Sequence, residues 1–164
     1  MSYYQEIVAE YLRADRSIFM NHEFTIQLEH GVAQPKKGTS WISDIVAVDF
    51  RNRTVFLCEV TYSQTLSALI KRLKCWSDNW PDIVRALRRD SCVPDDFIVR
   101  PWVFIPESLI GLFVKKFQAS RAEFEKKVPL ITPLEMTAPW EYSTWNRCGE
   151  KSKAKYPIPL EMQA

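Results

Sequence analysis

Asp44 and Glu59 are acidic residues set where apolar residues belong. Asp44 opens the run Ile45-Val46-Ala47-Val48, and Glu59 interrupts the run Val55-Phe56-Leu57-Cys58-Val60. A carboxylate in a core strand carries a large desolvation penalty unless a cation, a proton or an ion pair compensates it. Two such groups on adjacent strands can converge on one divalent cation. The alternative for Asp44 is a strand cap or a pair with an arginine, and for Glu59 a buried ion pair. Along Thr54–Tyr62, residues two apart share a face, so Val55, Leu57, Glu59 and Thr61 lie together, with Phe56, Cys58, Val60 and Tyr62 opposite. Asp44 shares a face with Ile42, Val46 and Val48. Asp49 points the other way, beside a turn, and reads as a solvated turn residue.

The elements that must position these acids follow from pattern. Tyr4, Ile7, Val8, Tyr11 and Leu12 are spaced as one face of a helix over Tyr3–Asp15, capped by Ser2, with Glu6 and Glu10 one turn apart on another face. Ile18–Glu29 reads as a strand and 31–40 as a loop. Trp41–Phe50 and Thr54–Tyr62 read as two strands joined by the polar turn Arg51–Arg53. Leu66, Leu69, Ile70, Leu73 and Trp76 predict a helix over Thr65–Trp76, and Pro81 starts another. Phe97–Ile105 reads as a strand, with Pro101 suggesting an edge or a bulge. Helical structure over Glu107–Lys127, in one piece or two, and a short strand over Val128–Leu134 complete the order. Strands and helices in this order predict an α/β fold: a mixed sheet with helices on both faces.

A helix bearing a glutamate, a strand, then an acid on one strand and Glu-x-Lys on the next is the pattern that this chain resembles. It is that of the PD-(D/E)XK nuclease superfamily, and the likeness covers roughly Tyr3 to Trp76. The resemblance implies a restriction-endonuclease-like sheet of four to five strands. It also implies a Mg²⁺ or Mn²⁺ ion held by Asp44 and Glu59 with support from Glu6, and hydrolysis of DNA or RNA phosphodiester bonds. The chain departs from the pattern at Ser43, where a proline often stands, and at Thr61, where the lysine stands. A threonine hydroxyl supplies no positive charge. Lys71, one turn before Lys74 and off the apolar stripe, is the expected replacement and the third catalytic residue beside Asp44 and Glu59. Gln64, Arg72 and Lys74 are the expected nucleic-acid contacts. If Thr61 marks a lost active site, the same fold serves as a nucleic-acid- or protein-binding module. A small α/β protein with coincidental carboxylates is the third reading.

Composition narrows the classes. A 164-residue chain suits one domain with one sizeable core, taken as 1–135, with 136–164 as an irregular extension packed on it or partly loose. The net charge of +2 excludes a polycation, so nucleic-acid binding needs a local basic face. The four cysteines lack CxxC spacing and, with His22 and His30, form no zinc pattern. No apolar run approaches membrane-spanning length, and the N-terminus is charged and amphipathic rather than a signal peptide. Reduced thiols and a cytoplasmic protein are the expectation, and the size leaves a homodimer open. Trp76 and Trp80 are candidates either for core positions or for stacking on bases.

Overall fold

The computed structural model describes residues 2–28, 41–125, 127–137 and 160–161. Helix α1 (Tyr3–Arg13) begins with a capping box: the Ser2 hydroxyl accepts from the Gln5 N–H at 3.3 Å, and Gln5 Oε1 accepts from the Ser2 N–H at 2.6 Å. Strands β1 (Ile18–Thr25), β2 (Ile42–Asp49) and β3 (Thr54–Val60) form an antiparallel meander. Helices α2 (Ser67–Asp78) and α3 (Trp80–Ser91) lead to β4 (Ile98–Ile105), which pairs parallel with β3. A 3₁₀ turn at Glu107–Leu109 precedes α4 (Ile110–Ser120), and β5 (Leu130–Pro133) lies parallel to β4. The two-residue strand β6 (Leu160–Glu161) adds antiparallel to β5, and the sheet order is β1-β2-β3-β4-β5-β6.

The sheet separates two cores, because successive strand residues point to opposite faces. On one face, Val8 and Leu12 of α1 belong to the cluster of Ile45, Ala47, Phe56, Cys58 and Phe104. On the other, Leu69, Leu73 and Trp76 of α2 and Phe113 and Phe117 of α4 cluster with Val46, Leu57 and Val103. This is an α/β mixed sheet with helices on both faces. Every residue of β3 is buried, as expected of a central strand.

Several local expectations need correction. Pro101 sits in the interior strand β4, opposite Leu57, not on an edge. Its register makes this tolerable. Ile98 N–H donates to the Arg53 carbonyl at 2.9 Å, so even-numbered residues of β4 direct their amides at β3. Pro101 faces the β5 side, where pairing begins only at Trp102, so no ladder donor is lost. Trp76 and Trp80 are both buried in the core and unavailable to bases. Asp49 is a turn residue but a buried one. Its Oδ1 accepts from the Arg51 and Asn52 N–H groups at 2.9 and 3.1 Å, and its Oδ2 from the Asn52 side chain at 2.7 Å. Most of the 136–164 extension lies outside the described residues, as do the 31–40 loop and His30; Leu160–Glu161 is strand rather than irregular. No helix among the described residues is long and apolar enough to cross a membrane.

Asp49 satisfies three donors at the β2–β3 turn, so Asp49→Ala is expected to destabilise the fold by about 1–3 kcal/mol. Urea denaturation measures it, and a change below about 0.5 kcal/mol would show that the turn forms without this acid.

Candidate functional site

The β2–β3 register pairs Ile45 with Cys58, so the next positions along, Asp44 and Glu59, lie opposite each other. Ile45 and Cys58 belong to the core under α1. Alternation therefore sends Asp44 and Glu59 to the α2 side of the sheet. Both acids stand near the end of β3, where the chain turns toward α2. The Thr61 hydroxyl oxygen accepts from the Ser63 N–H at 3.1 Å, and Leu66, with φ of 55°, starts the helix from a left-handed conformation. This reversal lays α2 back over the strand it follows.

Arg72 of α2 meets the two acids. It lies three residues after Leu69 and four before Trp76, on the helix face that packs against the sheet. Its Nη1 forms an ion pair with Glu59 Oε2 and lies 3.8 Å from Asp44 Oδ1. Asp44 Oδ2 accepts from the Val60 backbone N–H at 2.8 Å. The Gln5 side chain, whose Oε1 is held by the capping box, is close enough to Asp44 to favour its charged form. Glu59 Oε1 is buried and has no hydrogen-bond partner, although Glu59 as a whole is only 3 % exposed.

The electrostatics follow from this geometry. Burial pushes the Glu59 carboxyl well above its ordinary range; the charge of Asp44 adds to the rise, and Arg72 and the Asp44 backbone N–H oppose it. Burial also raises Asp44, against the Val60 N–H, Arg72 and Gln5, which favour its charged form. Cys58, on the opposite face of β3, is raised by burial and then by both carboxylates. Glu23 adds a smaller upward push on Asp44. It stands opposite Asp44 on β1, between the pairs His22–Ile45 and Phe24–Ser43, with φ of 49°.

The structure therefore brings together Asp44, Glu59 and Arg72, with Gln5 and Glu23 at the margin of Asp44. Glu6 is exposed, and the α1 residue that reaches Asp44 is its neighbour Gln5. Lys71 is exposed and lines a groove between α2 and α4 with Ile70, Lys74 and Lys116, away from the carboxylates. Lys74 pairs with Asp78 at 2.5 Å, and Lys116 Nζ donates to the Thr65 carbonyl at 2.7 Å. Gln64 is exposed in the turn before α2. Arg72, expected as a nucleic-acid contact, is instead the cation at the carboxylates. Its place on the apolar stripe was the available signal. Lys71 and Lys74 lie off that stripe, which turns them from the sheet.

Among the described residues no group of three or more His, Cys, Asp or Glu is arranged to hold a metal ion. Two carboxylates still fit Mg²⁺, which is commonly held by one or two carboxylates with waters and substrate phosphate oxygens completing the shell. The unpartnered Glu59 Oε1 and Asp44 Oδ1, 3.8 Å from Arg72 Nη1, are the oxygens that would reach it.

Glu59 and Asp44 bind protons more readily folded than unfolded, since their folded pKa values are raised. Their contribution to stability is complete below the ordinary carboxylate range and is lost as pH rises through the raised values. Arg72 limits that loss. Arg72→Met is thus expected to destabilise the protein by about 3–5 kcal/mol at pH 8, and by much less at pH 5. The double variant Arg72→Met/Glu59→Gln should recover most of the deficit. Urea denaturation at both pH values checks this, and a deficit independent of pH would show that Arg72 acts through packing alone.

Comparison with known proteins leaves the family unassigned: no protein-family model matches the chain, and no curated protein matches it. The chain is similar to the crystal structure of an XisH family protein from Nostoc punctiforme, with a TM-score of 0.44 and 15 % sequence identity over 82 % of this chain and 94 % of that one.

Proposed function

We propose that the protein hydrolyses phosphodiester bonds of DNA or RNA, with Asp44 and Glu59 holding a divalent cation, Mg²⁺ or Mn²⁺. The observation that carries this reading is the buried, repulsive carboxylate pair with an unpartnered oxygen on Glu59. Such a pair costs folding energy, and groups with strongly shifted pKa values collect at functional sites. When bound, the cation would polarise the scissile phosphate and acidify a water. Arg72, already at the carboxylates, has the charge and the planar donor set to stabilise negative charge on the phosphate. It takes the role that Thr61 is unable to fill. Gln5 and the Val60 N–H favour the ionised form of Asp44 against its burial. Lys71, Lys74 and Lys116, in the groove between α2 and α4 away from the carboxylates, offer a basic track for the nucleic-acid backbone.

A second reading, a binding module without catalysis, is favoured by one observation. Arg72 already brings one positive charge to the acids that would bind the cation, which lowers their demand for a metal.

Cleavage of labelled single- and double-stranded DNA and RNA in Mg²⁺ and Mn²⁺ separates the two. The expected outcome is metal-dependent cleavage that falls at least a hundredfold in Asp44→Asn and in Glu59→Gln. Arg72→Lys should retain more activity than Arg72→Met. Lys71→Ala is expected to weaken binding and reduce its salt dependence while leaving turnover of bound substrate near that of the wild type. Binding without cleavage under every condition would establish the second reading.

A further inference from the structure

Arg72 meets the acid pair through one nitrogen. Its Nη1 forms the ion pair with Glu59 Oε2 and is the atom 3.8 Å from Asp44 Oδ1. Among the described residues its Nε and Nη2 have no hydrogen-bond partner. Neither is a buried atom left unsatisfied, and the side chain is 20 % exposed, so these donors reach solvent. Arg89 shows the contrasting arrangement: its Nε and Nη2 donate in parallel to the two oxygens of Asp90, at 2.6 and 2.7 Å. Such a fork is how a guanidinium clamps a carboxylate. At Glu59 the fork is not made. One carboxylate oxygen makes no hydrogen bond of normal geometry, while the guanidinium beside it keeps two donors unused.

We propose that Arg72 is an exchangeable counter-ion: it holds the Asp44–Glu59 pair in the absence of metal, yields the place of its Nη1 to a divalent cation, and turns its guanidinium to an oxygen of the substrate phosphate. The inference rests on the hydrolytic reading above and adds how that site is regulated, since cation and phosphate are then taken up together. Charge drives the exchange. Two ionised carboxylates are neutralised by one divalent ion and not by one guanidinium, and the divalent ion also gains Glu59 Oε1, which Arg72 leaves unused. A guanidinium next to a bound dication is repelled by it, whereas a phosphate offers its planar donor set two acceptors at once. The stem of Arg72 stays on α2, between Leu69 and Trp76 of the packed stripe, so the exchange needs only rotation within one long side chain. Metal without phosphate strands the guanidinium, and phosphate without metal competes with Glu59 for it. Each ligand therefore raises the affinity of the other, by the same factor in both directions.

Two measurements that need no turnover test this. In the first, the arginine Nε–H resonances of the isotope-labelled protein are followed as Mg²⁺ is added without nucleic acid, and Mg²⁺ binding is read from its heat. The Arg72 signal, assigned by its loss in Arg72→Lys, is expected to shift along the binding curve in the wild type and to stay in place in Glu59→Gln. In the second, Ca²⁺ affinity is measured alone, with a short thymidine oligonucleotide, and with the same oligonucleotide carrying uncharged methylphosphonate linkages. The phosphodiester strand is expected to raise Ca²⁺ affinity about tenfold, and the uncharged strand to leave it unchanged. Arg72→Met should bind Ca²⁺ more tightly than the wild type when alone and lose most of the gain from the strand. Arg72→Lys, which keeps a charge without the planar donor set, should lie between. The wild-type resonance decides the matter even if Arg72→Met fails to fold. An Arg72 signal unmoved while Mg²⁺ binds, or an equal gain from the strand in Arg72→Met and wild type, would overturn the exchange. No cation binding in either protein would overturn it together with the hydrolytic reading. Cleavage in Mg²⁺ with an unmoved Arg72 signal keeps the hydrolysis and removes the exchange. A shifting Arg72 signal with no cleavage does the reverse.

Discussion

Glu59 is buried in the middle of the sheet, opposite a second acid, and its burial is tolerable only because positive charge is brought to it. Two carboxylates on facing strand positions repel each other most strongly where water is excluded. Arg72 supplies one cation to the pair, but the geometry leaves one Glu59 oxygen without any partner. The arrangement is therefore partly compensated. A purely structural ion pair would be expected to satisfy its remaining lone pairs with further donors, and at Asp44 that condition is nearly met by the Val60 N–H, Gln5 and Arg72. At Glu59, Arg72 and the Asp44 backbone N–H favour the charged form, but Oε1 makes no hydrogen bond of normal geometry, and that places the demand for a ligand on this residue.

Three elements have to agree for this pair to exist. The β2–β3 register sets the acids face to face, and a slip of one residue would turn one of them to the opposite side of the sheet. The turn closed by Asp49 holds that register from one end. At the other end, the reversal through Thr61 and Leu66 lays α2 across the strand so that its buried stripe, Arg72 included, faces the acids. Helix α1 completes the site from the opposite face, because Gln5 lies in its first turn and the capping box restrains that side chain. Four sequence-distant segments thus control the charge of one carboxylate.

Much of this was readable from residue order alone, and the limits have physical reasons. Alternation is a local property of strands, so the shared face of Asp44 and Glu59 followed from counting residues within a hairpin. Helical periodicity likewise contained the position of Arg72. The inference went to Lys71 because a chemical expectation, lysine for lysine, outweighed the geometric one. The expectation of a carboxylate on α1 settles on Glu6 and misses Gln5 by one residue of helical phase, about 100°, which the apolar stripe of a first turn does not resolve. Pro101 misled because the rule against proline in a central strand depends on which neighbour each amide faces, and that is fixed by pairing, not by sequence. Trp76 and Trp80 lie beside basic residues in the sequence yet point into the core.

The central claim is that the Asp44–Glu59 pair needs a cation beyond Arg72. Calorimetric titration of Mg²⁺ into the protein, without nucleic acid, tests it most directly. The account predicts a saturable heat in the wild type, abolished in Glu59→Gln and strengthened when Arg72→Met removes the competing guanidinium. No saturable heat in the wild type or in Arg72→Met, or the same heat in Glu59→Gln, would contradict it.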